Sequence, residues 1–104
     1  MQVQVITFNL HGATEEEYRI LANSLAPTFA KVPGLLSKYW LADSKNGTYG
    51  GVYIWKNLAS MNAYMHGDGV AVMKHPMLKN QASRDYGVLD GPTRINACAP
   101  VSER

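Results

Sequence analysis

The sequence predicts a ferredoxin-like α+β sandwich of βαββαβ order, and three observations carry that prediction. Stretches rich in β-branched and aromatic residues recur at 3–10 (VQVITFNL), 35–43 (LLSKYWLAD), 48–55 (TYGGVYIW) and near 84–90 (RDYGVLD). Apolar residues at helical spacing separate the first of these from the second and the third from the fourth. Between the second and third lies SKNG, a turn of the kind that joins antiparallel neighbours. Two helices alternating with four strands in this way pack against an antiparallel sheet.

Each element has a local reason. After the first strand, Thr14-Glu-Glu-Glu17 is a capping box: the Thr14 hydroxyl accepts from the Glu17 amide while the Glu17 carboxylate reaches back. Its three acids also suit the positive end of the helix dipole. Tyr18, Leu21, Ala22, Leu25 and Phe29 follow at helical spacing; Pro27 is expected to kink or break the helix, and Pro33-Gly34 to end it. Asn57 caps a second helix carrying Leu58, Met61 and Met65, and Gly67-Asp-Gly69 interrupts it before a short piece at 70–74. The tail PTRINACAPVSER adds an edge pairing or wraps the body.

The 104 residues fit one domain, 1–104, of ordinary size. A net charge of +2, with the ten Lys and Arg scattered, argues against nucleic acid or an anionic membrane as partner. The βαββαβ order is shared with RNA-binding domains, and YGGVYIWK places Gly50, Tyr53 and Ile54 in register with their strand-three motif. Tyr49 stands where that motif has a basic residue, and Gly51 where it has an aromatic. The lone Cys98 excludes an internal disulfide and reads as buried and inert. No apolar run reaches the roughly 20 residues of a membrane span, and no signal pattern opens the chain, so a cytoplasmic location is expected.

Both faces of the expected sheet are apolar. Ile6, Phe8 and Leu10 alternate with Val3 and Val5; Leu36, Trp40 and Ala42 with Leu35, Tyr39 and Leu41; Val52 and Ile54 with Tyr49, Tyr53 and Trp55. Two helices cover one face only, so a homodimer joined through the other is expected.

Gly50 and Gly51, set among the largest side chains of the third strand, raise the question of what fills the space they leave. A β-bulge or close backbone packing accounts for them. So does a bare patch of sheet beside Tyr53 and Trp55, where a planar ligand lies. Tyr53 and Trp55 read equally as core aromatics or as a stacking wall. Met61, Met65, Met73 and Met77 are core filler or the lining of an adaptable pocket. His11, His66 and His75 lack metal-ligand spacing, so no metal is expected. His66 and His75 flank the Gly67–Gly69 break, where an imidazole would serve as a base. Arg84 pairs with Asp85 or, aimed into a pocket, stabilises an anionic substrate or oxyanion. GxGxxG is absent, so no flavin or nicotinamide cofactor is expected.

VPGLLSKYWLADSKNGTYGGVYIW, the helix with Ala63-Tyr64, and RDYGVLDGPTRIN together resemble the YdhR-like monooxygenase family of the dimeric α/β-barrel superfamily. The resemblance runs from ITFNL to TRIN. It implies a dimeric barrel with a pocket between each sheet and its own helices. It also implies a small aromatic substrate, phenol- or quinol-like, oxygenated without a cofactor. The superfamily includes antibiotic-biosynthesis monooxygenases, which use tryptophan and tyrosine around an aromatic substrate, and haem-degrading enzymes. A strand-one Asn orients substrate or oxygen in some members, which points to Asn9. A helix histidine ligates iron in the haem degraders, for which His75 is the nearest candidate. The candidate set, from residues and resemblance together, is thus Asn9, His66, His75 and Arg84 for catalysis, with Gly50, Gly51, Tyr53, Trp55, Tyr64, Met61 and Met65 holding substrate. A non-catalytic ligand-binding dimer, or a haem-binding or haem-degrading relative, is the alternative.

Overall fold

A computed structural model describes residues 1–97; Cys98 and the rest of the tail lie outside the described residues. The chain runs β1 (Gln2–Leu10), α1 (Glu15–Phe29), β2 (Leu35–Asp43), β3 (Thr48–Trp55), α2 (Leu58–His66), α3 (Asp68–Met73), β4 (Leu78–Gly87) and α4 (Asp90–Asn96). The four strands form one antiparallel sheet in the order β2-β3-β1-β4, the ferredoxin-like arrangement.

The capping box forms as the sequence requires. Glu17 N donates to Thr14 Oγ1 at 3.2 Å, and Thr14 N donates to the Glu17 carboxylate at 2.9 Å. Asn57 caps α2 by accepting from Ser60 N at 2.8 Å. Pro27 does not break α1, which continues to Phe29. The proline lies in the last turn, so its missing N–H forgoes a single bond, to the carbonyl four residues back.

Three features differ from the sequence expectation. The fourth strand spans Leu78–Gly87 rather than 84–90, and DGPTRIN forms a helix where the sequence left an edge pairing or a wrapping segment open. A bulge in β2 between Leu35 and Ser37 shifts the alternation, so Leu35 joins the core and Leu36 is exposed.

α1, α2 and α3 contribute to one core against one face of the sheet. Ile6, Phe8, Tyr49, Tyr53 and Trp55 from the strands meet Tyr18 and Phe29 of α1 and Met61 and Tyr64 of α2. Trp55 is fully buried, and Gln4 beside it is the one buried polar side chain among the described residues. Gln4 is satisfied twice: its Oε1 accepts from Trp55 Nε1 at 3.0 Å, and its Nε2 donates to Ser83 Oγ at 3.0 Å. A buried amide with both ends bonded avoids the desolvation penalty of an unpaired one, about 1–3 kcal/mol. The opposite face carries Val3, Val5, Val52 and Ile54, with Tyr39 63% and Tyr86 56% exposed beside them.

Candidate functional site

An apolar cavity of about 200 Å³ lies between the sheet and the helices. Its roof is Tyr18, Leu21, Ala22, Leu25 and Phe29 of α1; its floor is Phe8, Lys38, Trp40, Gly50 and Tyr53; Ala71, Val72 and His75 close the far side. Aromatic pairs stand at both ends of α1. Phe8 meets Tyr18 edge-on at 5.6 Å, and Phe29 meets Trp40 edge-on at 5.4 Å. The lining also includes Ala22 and Gly50, whose small size leaves space unfilled.

The two glycines do different jobs. Gly50 has φ +154°, and a Cβ there would fall 1.9 Å from the Ile6 carbonyl oxygen, so no other residue fits without moving the β1–β3 pairing. At Gly51 a Cβ would sit 3.1 Å from Lys38 Cε and 3.1 Å from Tyr53 Cε1. The space over Gly51 is therefore filled from within the protein, by the stem of Lys38.

Lys38 is the residue that sequence reasoning missed. On β2 it pairs with Tyr53 and faces the helices. Its Nζ lies 3.2 Å from the Phe29 ring centroid, 3.5 Å from Trp40 and 4.6 Å from Tyr53. The sole ion pair among the described residues is Arg19–Glu15, so no described carboxylate partners the amine. Burial lowers its pKa to about 7. The ring faces favour the ammonium and work against that pull, which leaves both forms accessible near neutrality. A signal for it existed in sequence: Lys38 alternates with Leu36 and Trp40, the one charge on a face otherwise apolar.

The expected site residues divide sharply by place. Gly50, Tyr53 and His75 line the cavity. Desolvation raises the Tyr53 hydroxyl pKa strongly, so it is a neutral phenol at any ordinary pH. His75 Nδ1 accepts from Met77 N at 3.1 Å, which leaves the ring proton of the neutral imidazole on Nε2. Trp55, Tyr64 and Met61 are packed in the core beyond the cavity: Trp55 stacks on Tyr53 at 6.0 Å and tilts against Tyr64 at 5.4 Å. Met65 is partly buried against the same core.

The others lie elsewhere. His66 is exposed, with Nδ1 2.8 Å from the Asn62 carbonyl of its own helix. Arg84 pairs with Val5 across β4 and β1, on the face opposite the helices. Asn9 has both ends of its amide engaged, donating to Gly47 O at 2.8 Å and accepting from Asn80 Nδ2 at 3.0 Å. It ties the rim of β1 to the β2–β3 turn and to β4. Among the described residues no group of three or more His, Cys, Asp or Glu is placed to hold a metal ion. No described helix is long and apolar enough to cross a membrane.

A second cluster lies at the mouth of α1. Glu15 accepts from the Tyr49 hydroxyl at 2.7 Å and from Ser44 Oγ, and pairs with Arg19 at 2.9 Å. The hydrogen bonds from Ser44 and Tyr49 hold its carboxyl below the usual range. These contacts tie α1 to the β2–β3 hairpin.

A four-stranded antiparallel sheet with one helical layer and an aromatic cavity between them defines an α+β protein of the ferredoxin-like class. The chain belongs to the family described as "Putative mono-oxygenase ydhR", which matches residues 3–99. No curated protein matches it. The haem degrader MhuD from Mycobacterium tuberculosis, solved with two haems in its active site, has a similar fold (TM-score 0.70, 17% identity, covering 86% of this chain and 96% of that one). So has SnoaB, a cofactor-independent oxygenase from Streptomyces nogalater (TM-score 0.68, 19% identity, 85% of this chain and 92% of that one). At these identities the likeness is one of fold.

Proposed function

We propose that the cavity beneath α1 is the substrate site of a cofactor-independent monooxygenase acting on a small phenol- or quinol-like aromatic. The carrying observation is its lining: aromatic and aliphatic walls with one amine and one imidazole, the pattern of a site that orients an apolar ligand by few polar groups. An engineered apolar cavity of roughly 150 Å³ takes up benzene. About 200 Å³ therefore suits a substituted ring or a compact bicycle. That volume favours a small aromatic over a porphyrin in this reading.

The reaction balances with dioxygen as the sole co-reactant. A phenol ionises, its electron-rich ring passes an electron to oxygen, and a new C–O bond forms at the para carbon. One oxygen atom ends as the quinone carbonyl and the other leaves as water, carrying the two hydrogens lost from ring and hydroxyl. The protein's part is to exclude water, to hold the ring flat against aromatic walls and to supply groups that accept and stabilise charge. The test is oxygen uptake and quinone formation with simple phenols and naphthols. Ala22→Phe, which fills the cavity from α1, should lower the rate at least tenfold while the circular dichroism stays native. Equal rates in both proteins would overturn the reading. Tight binding without oxygen uptake would favour a non-catalytic ligand carrier.

The functional unit in this reading is a homodimer joined through the face that carries Val3, Val5, Val52 and Ile54. Half-buried Val3, Val5, Val52 and Ile54 with exposed Tyr39 and Tyr86 on one sheet face favour a self-complementary contact. Sedimentation at micromolar concentration should give a dimer, and Ile54→Arg a monomer. A wild-type monomer under those conditions would sink the assignment.

A further inference from the structure

We infer that the Lys38 amine is the general base of this cavity, taking the proton from the hydroxyl of a phenol- or enol-type substrate. The inference rests on the cavity being the substrate site and adds the residue that starts the chemistry. Three observations lead to it. Nζ lies over three ring faces at 3.2–4.6 Å, and no described carboxylate partners it. An amine so placed has no carboxylate to hold it charged until a ligand supplies an anion. Secondly, the stem of Lys38 crosses the sheet over Gly51, where any Cβ would crowd it, so the glycine leaves the path for this side chain. Thirdly, the other basic group at the cavity is otherwise committed. His75 Nδ1 accepts the Met77 amide, and the neutral ring then offers an N–H donor.

The step is a proton transfer between neutral partners. The substrate O–H bond breaks, an N–H bond forms at Nζ, and the electron pair of the O–H bond stays on oxygen. Ammonium and phenolate appear in contact, so the net charge of the cavity does not change. The ring faces take over part of the hydration the ammonium lacks. The amine's lowered pKa places its neutral form within reach near neutral pH. The titratable groups around it are Tyr53 on β3, Tyr18 on α1 and His75 after α3, with Glu15 and Arg19 on the adjoining groove. Burial raises the Tyr18 and Tyr53 hydroxyl pKa values, so neither phenol competes as a base in its neutral form.

The test uses 3-nitrophenol, whose phenol and phenolate absorb at well-separated wavelengths, just above neutrality where the free probe is protonated. Wild-type protein should bind it saturably with the phenolate band and release little proton to the medium, because the proton moves to Nζ. Lys38→Met should bind the probe with the neutral band. Lys38→Arg, a permanent cation, should restore the phenolate band while releasing about one proton per probe bound. Saturable binding with the same band in wild type and Lys38→Met overturns the base assignment and leaves the cavity standing. A full proton released by the wild type also overturns it, since the amine was then already charged. Absence of saturable binding to wild type and Lys38→Met alike overturns the cavity reading and the base with it.

Discussion

Trp55→Ala is expected to destabilise the fold by about 3–5 kcal/mol, the range for truncating a large buried aromatic. The reason lies in what the indole touches. It is completely buried, stacks on Tyr53 with ring planes 2° apart, and tilts against Tyr64. Its Nε1 also gives Gln4 Oε1 its hydrogen bond. Trp55→Phe separates the two contributions. Much of the ring volume stays, Gln4 loses its donor, and the expected cost is about 1–3 kcal/mol. Adding Gln4→Leu to Trp55→Phe should recover part of that loss, because no buried acceptor is then left unpaired. Urea unfolding followed by circular dichroism measures all three, and a Trp55→Ala cost below about 1 kcal/mol would contradict this account of the core.

The second large effect is a pH-dependent gain in stability on replacing Lys38 with methionine. In the folded chain the amine titrates near 7, against 10.5 for an ordinary lysine. Between those values the unfolded chain binds more protons than the folded one, so the group's contribution to stability rises with pH across that window. Below about 7 both states carry the charge, and the cost of burying it is fully present. Each pH unit of that window corresponds to about 1.4 kcal/mol. Reduced for the part of the side chain that water reaches, the whole cost is about 2–4 kcal/mol. Lys38→Met removes it, keeping the stem's packing over Gly51. The variant should therefore be the more stable protein below pH 7, by about that amount, with the two curves converging as pH approaches 10.

Tyrosines bound the upper end of this window. Tyr18 and Tyr64 are pushed up to about 12 by burial, so they ionise first in the unfolded chain, and stability falls above about 10 in both proteins. Urea unfolding at fixed protein concentration across this range gives the comparison. A constant offset between the two curves would show that the amine does not titrate differently in the fold.

Legibility in the sequence followed how local each cause was. The capping box at Thr14–Glu17 and the Asn57 cap read directly, because a helix start is settled by four neighbouring residues. The third strand was legible to its ends. β4 was not: LKNQASRDYG has no apolar alternation, being an edge strand that pairs with β1 alone and is mostly exposed. Lys38 was hidden by a different cause. Alternation puts it on the core face, but only the register of β2 on β3 shows that it crosses Gly51 to reach Phe29 of a distant helix.

The amino-acid sequence by itself determined the βαββαβ order of the main elements, the apolar character of both sheet faces and the presence of a bare spot at Gly50-Gly51. All three follow from residues close together along the chain, where periodicity and turn chemistry act. Which side chain fills that spot, and which aromatics border the cavity rather than the core, was decided only by tertiary structure. The register of β2 on β3 and the stand-off of α1 set those contacts. They join residues far apart in the chain, where local propensity has no reach.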